Sequence, residues 1–325
     1  MNTQADIRSG LMKAAVLNQF GNEKQLVTDF IPMPKIDVNE VLIKLEYAGI
    51  GTWDVFEREG GYAEMMGVET KFPYVLGSEG SGTIVSIGEK VSGFTVGDSV
   101  IGTSFMNPKG GFYAEYVAVD SQLVMHIPSS MPGQEAGVVS GVGTTALRGL
   151  EDVLKLKQDE SILVFGASGG IGHIAVQLAK GMGARVFAVA SGNDGVEMVR
   201  KLGIENVVDG YREDLLAALQ SFAPSGFDAA LLTAGGEQAN LILQAMKKDG
   251  RAVFPNGVYP EPVGEVETTG YNGEPNADII SRFKNYLETG QVKAHIGGSF
   301  ALEDASSAHL ALSRHYSGKI CLKIR

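Results

Sequence analysis

The segment best able to do chemistry is GASGGIG, from Gly166 to Gly172, because backbone without side chains can bring its N–H groups directly against a phosphate. It follows the apolar run SILVF and opens the helically spaced run IGHIAVQLAKGMG. That strand, turn and helix context separates a dinucleotide turn from a chance cluster of glycines. Gly169 and Gly172 stand where the backbone must approach a pyrophosphate and where helix must pack close to strand. Ala167 replaces the first glycine of the usual pattern, which its methyl group allows as long as φ stays negative. Ser168 adds a hydroxyl donor, and the amides of Gly170 and Ile171 would open the helix toward an anion. The next apolar run, ARVFAVA, ends at Ser191, where an NAD site places an acid on the ribose hydroxyls. A carboxylate would repel a 2′-phosphate and a serine can donate to it, so NADPH is the expected cofactor. Asp194 lies three residues on and could swing back to the ribose, while Arg200 and Arg212 are candidate cations for the phosphate. Ala234 and Gly235, and Asn256 and Gly257, follow two further apolar runs, at strand ends where a cofactor crosses a parallel sheet, with plain turn chemistry as the alternative.

The residue inventory excludes other chemistries. Cys321 is the single cysteine, so there is no internal disulfide and no cysteine cage for a metal, and a reducing, cytoplasmic location is expected. The five histidines, at 126, 173, 295, 309 and 315, form no pair at metal-ligand spacing. With 27 basic against 38 acidic residues the formal charge is -11, which disfavours a nucleic-acid partner. No apolar run reaches the length of about 18 residues that a membrane span needs. The opening MNTQADIRSG lacks the apolar stretch of a secretory signal and reads as a frayed extension.

Two textures of sequence must position these residues. From Met12 to about Pro128, short β-rich runs (MKAAVL, VLIKLEYAGI, GTIVSIG, DSVIG, YAEYVAV) are punctuated by Gly, Pro, Asn and Asp, the pattern of a barrel-like β domain. From Gly137 onward, compact apolar runs alternate with helical spacing in IGHIAVQLAKGMG, GVEMVRKLG and REDLLAALQSF, a βαβ series and hence a parallel sheet. After about Gly257 the stretch GVYPEPVGEVETTGYNGEP reads as a surface loop or strand-poor connection. A last long helix is expected over ADIISRFKNYLETG, before the apolar tail KICLKI.

The chain from 12 to 325 resembles the medium-chain dehydrogenase/reductase superfamily, and within it the zinc-independent quinone oxidoreductase branch. The likeness is carried by MKAAVL, EVLIKLEYAGIGTWDVFEREG, FPYVLGSEGSGTIVSIGEKVSGFTVGDSVIG, GFYAEYVAV, SGVGTTALRGL, FGASGGIG and the closing GKICLKI. The resemblance implies an α/β protein with a GroES-like β-barrel catalytic domain (12–128 and 268–325) and an inserted Rossmann doubly wound parallel sheet that binds NADP (129–267). Residues 1–11 are left as a flexible extension. It also implies a homodimer, and a hydride transfer from NADPH to a quinone or an α,β-unsaturated carbonyl compound. The alternatives are an enoyl-thioester reductase, or an NADPH-binding protein with a structural or sensing role. Zinc-dependent relatives carry a Cys near Gly51 and Thr52 and a His in GHE. Here the stretches read GIGTWD and GSE, with Ser78 in place of His, so no zinc is expected. Glu79 survives from that motif, as a catalytic acid or as a charge that orders the barrel turn. The Asn that the branch carries at Gly51 is missing. The Lys and Tyr that hold a 2′-phosphate fall on Gly195 and Gly210, with Tyr211 next along as a possible substitute.

In such a protein the substrate lies between the barrel and the nicotinamide. Thr145 or Thr144 would touch the nicotinamide ribose, and Trp53 with Tyr62 would line an apolar slot beside Gly51, although a lone Trp is explained equally well by core packing. Arg58 and Tyr62 are the candidate donors to a developing oxyanion. Arg58 has the competing role of a surface ion pair with a neighbouring glutamate.

Overall fold

The computed structural model describes residues 10–212, 214–261 and 264–325, which divide into two units. The first comprises residues up to Gly141 together with Pro275–Ser281 and Ile296–Arg325; the second comprises Val142–Glu274 and Arg282–His295. Of the expected extension, residues 1–9 lie outside the described residues. Leu11 already belongs to a strand, and the Gly10 carbonyl accepts from the Met33 amide.

The first unit is built on β1 (Leu11–Leu17), β2 (Leu26–Pro32), β3 (Glu40–Ile50), β4 (Tyr74–Val75), β5 (Glu79–Ile87), β6 (Ser99–Thr103), β7 (Tyr116–Asp120) and β8 (Val124–His126). Short helices α1 (Thr52–Arg58), α2 (Gly61–Met66) and α3 (Gly133–Ala136) join them, and α4 (Ser140–Leu147) leaves for the second unit. β3 alternates buried and half-buried residues along EVLIKL, the period of a strand with one face on a core. That core gathers Val41, Ile43, Leu45, Phe112, Tyr113 and Leu322, all essentially without exposure.

The second unit holds a parallel sheet of β9 (Ser161–Phe165), β10 (Arg185–Ala190), β11 (Val207–Asp209), β12 (Phe227–Leu232), β13 (Met246–Pro255) and β14 (Glu267–Tyr271), in the order β11-β10-β9-β12-β13-β14. Its crossovers are α5 (Gly170–Gly181), α6 (Gly192–Lys201), α7 (Leu215–Phe222) and α8 (Glu237–Leu243). β9 is buried along its whole length, as a central parallel strand covered on both faces must be. After α9 (Ala277–Glu288) the chain returns to the first unit, where β15 (Ile296–Ala301), α10 (Ala305–Ala311) and β16 (Lys319–Lys323) complete a seven-stranded sheet. β16 runs antiparallel to β3, with Ile320 opposite Ile50.

Three expectations need adjustment. Residues 129–141 belong with the barrel, because α3 packs on β3 and β5 and its Gly133 carbonyl accepts the Ser81 hydroxyl at 2.7 Å. Residues 268–274 and 282–295 belong with the parallel sheet unit, since β14 pairs with β13 and since Gln177 and His173 of α5 bind the backbone of 293–295. The stretch after Gly257, expected as a surface loop or strand-poor connection, contains the edge strand β14, whose only buried residue, Tyr271, is a weak apolar signal. No helix among the described residues is long and apolar enough to cross a membrane.

Candidate active site

In the second unit the chain leaves β9 through Gly166, whose φ of 82° is left-handed and whose added Cβ would meet Thr233 Oγ1 at 2.5 Å. The amides of Gly166 and Ala167 both donate to the Val189 carbonyl, tying the turn to β10. Ala167 is buried and its φ is not positive, as its methyl group requires. At Gly172 a Cβ would stand 2.1 Å from the Gly166 carbonyl oxygen, so only glycine lets α5 start this close to the strand. Gly169 caps α5, and the amides of Gly170 and Ile171 fall in its first turn, where a helix has no acceptors of its own.

Beside this turn runs a groove of about 420 Å³, bordered by Phe165, Ser191, Tyr211, Ala234, Gly235 and Glu237 among others. A Cβ at Gly235 or Gly236 would meet nothing within 4 Å, so that wall stays open. The residues present therefore fit a dinucleotide: a turn for a diphosphate and an adjoining slot for a nucleoside. Ser168 accepts the Ser191 amide on its hydroxyl oxygen at 3.0 Å and keeps a hydrogen to donate. Tyr211 is 76% exposed at the rim. Arg212 is paired through two nitrogens with Asp214, so its charge is already matched. Sequence reading missed Asp209, whose carboxylate accepts the amides of Tyr211 at 3.1 Å and Gly192 at 3.4 Å beside the end of β10. Thr145, Asn256 and Gly257 do not line the groove: the Thr145 carbonyl accepts from Tyr271, and Asn256 donates its amide to the Tyr271 carbonyl.

In the first unit, Gly51, Trp53, Ser78, Glu79 and Lys319 meet where β3, β5 and β16 end. A Cβ on Gly51 would lie 2.4 Å from the Trp53 ring, so the missing side chain makes room for the indole. Trp53 Nε1 donates to Ser78 Oγ at 2.8 Å, and the Lys319 ammonium lies 4.4 Å from the centre of the Trp53 ring. Lys319, 2% exposed, pairs with the wholly buried Glu79 at 2.8 Å, and the second Glu79 oxygen accepts the Gly141 amide at 2.7 Å.

The Arg58 side chain is buried. Its Nε donates to the Gly21 carbonyl, Nη2 to Glu59 and Nη1 to His309 Nδ1 at 3.1 Å. The expected role as an oxyanion donor competes with these bonds, which occupy three of the five guanidinium N–H groups. Because a guanidinium only donates, His309 Nδ1 accepts and its proton sits on Nε2, which donates to the Tyr113 hydroxyl at 3.1 Å. Tyr113 in turn donates to Asp54 Oδ2, which also accepts the Gly51 amide at 2.7 Å. Burial and the nearby Arg58 charge push His309 down to about 3. Burial, and then the Glu57 charge, push Asp54 up to about 8, against the opposing Gly51 and Tyr113 bonds and the Lys319 charge. Tyr62 is half-buried, with its ring edge-on to Phe56 and to Phe105. Among the described residues, no group of three or more His, Cys, Asp or Glu side chains is placed to hold a metal ion.

Of these groups, Asp54 had a sequence signal: it stands three residues after a glycine at a helix start, the spacing of a capping residue. Nothing local in the sequence pairs Tyr113 with His309.

A β-barrel unit and a parallel sheet with its strands in the order third, second, first, fourth, fifth, sixth, opened by a glycine turn, define a dehydrogenase-type architecture. Residues 37–129 match the alcohol dehydrogenase GroES-like domain, and residues 170–264 match the family described as zinc-binding dehydrogenase. A quinone oxidoreductase from Lama guanicoe is 27% identical over 97% of this chain and 98% of its own. A mitochondrial NAD(P)H oxidoreductase from Bos taurus is 33% identical over 78% of this chain and 67% of its own. Among solved structures, the quinone oxidoreductase from Coxiella burnetii has a TM-score of 0.82 at 25% identity, covering 97% of this chain and 100% of that one. The chain belongs to the medium-chain dehydrogenase/reductase superfamily of oxidoreductases, in its quinone oxidoreductase-like branch.

Proposed function

We propose that the chain is a zinc-free, NADPH-dependent reductase of quinones or α,β-unsaturated carbonyl compounds. The observation that carries this reading is the glycine turn between β9 and α5 with the groove beside it. A pyridine nucleotide, when bound, supplies the hydride. The amides of Gly170 and Ile171 receive its diphosphate, and Ser191 offers a hydroxyl where an acid would repel a 2′-phosphate. Tyr62 donates a hydrogen bond to the acceptor oxygen as negative charge grows on it, and Trp53 presents an apolar face to a planar ring. Arg58 is a positioning residue: by binding Gly21 and His309 it holds the end of α1, the helix that carries Trp53. One proton from solvent completes the two-electron reduction, so no Ser/His/Asp constellation is required. The zinc-free reading is supported by the donors at the barrel end, where Gly51 has no side chain and the Ser78 hydroxyl is bound to Trp53.

A second reading, NADH in place of NADPH, is favoured by Asp209. Its carboxylate lies beside the end of β10, and the nearby Arg212 is matched by Asp214. The test is the rate of NADPH and NADH oxidation by the purified protein with a panel of quinones and enones. Turnover with NADPH well above that with NADH supports the first reading, the reverse order supports the second, and no oxidation of either nucleotide with any acceptor refutes both.

A further inference from the structure

His173 lies in the first turns of α5 and is fully buried. Its Nδ1 is 2.8 Å from the Gly169 carbonyl oxygen, and the His295 amide donates to its Nε2 at 3.2 Å. A carbonyl only accepts and an amide N–H only donates, so the two partners assign one tautomer, with the proton on Nδ1 and the lone pair on Nε2. The Gly169 carbonyl also accepts the backbone amide of His173 at 3.1 Å, so two donors converge on one oxygen.

That oxygen belongs to the peptide plane whose other end is the Gly170 N–H, and in a trans peptide the two point in opposite directions. Fixing the oxygen toward the helix body therefore aims the Gly170 N–H out of the helix start. Glycine on both sides of this peptide offers little steric resistance to its rotation, so a side-chain restraint matters here more than elsewhere. The other face of the imidazole does separate work. With Gln177, whose amide oxygen accepts from the Lys293 amide and whose nitrogen donates to the Lys293 carbonyl, both at 2.9 Å, it docks residues 293–295 along α5.

We propose that His173 is a positioning residue for the pyridine nucleotide: its Nδ1–H sets the direction of the Gly170 amide, and with it the affinity of the turn for a diphosphate, while its Nε2 holds the 293–295 segment. This rests on reading GASGGIG as a nucleotide turn, and the experiment separates the two. His173→Asn puts an amide N–H near the place of Nδ1, and His173→Gln puts a carboxamide oxygen near the place of Nε2. NADPH and NADH affinities are measured by fluorescence titration, alongside melting temperature and the acceptor KM.

His173→Asn should bind nucleotide within about twofold of wild type yet melt lower. His173→Gln should melt near wild type yet bind about five- to tenfold more weakly, the size that one hydrogen bond supports, with the acceptor KM unchanged. Gln177→Met loosens 293–295 without touching Gly169, so it should melt lower with unchanged nucleotide affinity. Equal affinities for the Asn and Gln variants overturn the inference and leave the nucleotide reading standing. So does a Gln177→Met variant that loses about five- to tenfold in nucleotide affinity against wild type, a comparison that keeps the test decisive should a His173 variant fail to fold. Wild-type protein that binds neither nucleotide removes the reading and the inference together.

Discussion

Lys319→Met takes one ammonium out of a pair that water does not reach, and the barrel unit should be much less stable without it. Lys319 is 2% exposed and Glu79 not at all, with 2.8 Å between the charged atoms. At an effective dielectric of about 20 the gross attraction at that distance is about 6 kcal/mol, much of it offset by the water both groups gave up on folding. Removing one partner is worse than removing both, since the buried Glu79 carboxylate would be left with the Gly141 amide as its closest remaining donor. The expected loss is about 3–5 kcal/mol. For a folding unit of this size that is a fall in melting temperature of about 6–20 °C. The double variant Lys319→Met with Glu79→Gln should recover most of the loss, because the stranded charge is gone. Urea unfolding at 25 °C and thermal melts of the wild type, both single variants and the double variant form the cycle. A Lys319→Met protein within about 1 kcal/mol of wild type, or a double variant no better than that single, would refute the reasoning.

Asp54, held up at about 8 by burial, keeps a proton in the folded state over a range where the unfolded chain has lost it, so this group makes stability fall as pH rises from about 4 to about 8. Asp54→Asn should remove that slope of about 1.4 kcal/mol per pH unit, its advantage over wild type growing between pH 5 and pH 8 in paired melts; a constant difference would show that Asp54 is ionised in the fold. Ser191→Asp should weaken NADPH binding by about 1–3 kcal/mol while sparing NADH, and calorimetric titration giving equal losses would remove Ser191 from the 2′-phosphate site. Tyr62→Phe should lower single-turnover rates with a quinone and an enone at saturating NADPH, by less than the ~2.7–4 kcal/mol of a well-enclosed oxyanion donor, with NADPH affinity unchanged. Unchanged rates with both acceptors would exclude it.

The sequence was most readable where function depends on backbone and local order. The turn from Gly166 to Gly172 announces itself because most of its crowding is local: a Cβ at Gly172 or Gly169 would meet the Gly166 carbonyl oxygen, and the contact of Gly166 with Thr233 is the one made across the sheet. The parallel strands could be read because burial on both faces demands continuous apolar runs. The barrel end could not be read in the same way. Lys319 looks like the edge of an apolar tail, and only the antiparallel register of β16 on β3 brings it to Trp53 and Glu79. Arg58 is hard to read for the same reason: its partner His309 is 251 residues away, so a solvent-facing donor and a buried, paired one look identical in sequence. Asp209 escaped notice because it ends a three-residue strand of modest burial, and its nearness to β10 is a property of sheet order.

The departures from a metal-binding pattern at the barrel end form one packed arrangement in which each residue depends on the others. Gly51 lacks a side chain where the Trp53 indole needs the space, since any Cβ there would fall 2.4 Å from the ring. Trp53 in turn needs an acceptor for its indole nitrogen, and Ser78 supplies one at 2.8 Å, close enough that a larger side chain at 78 would displace it. The ring so placed covers the Lys319 ammonium, which balances Glu79. A cysteine at 51 would collide with the indole, and a histidine at 78 that accepted the indole N–H would spend on that bond the lone pair a metal needs. Rebuilding metal ligation here therefore requires changing Gly51, Trp53 and Ser78 together, because each fills space or meets a bond that the others leave open.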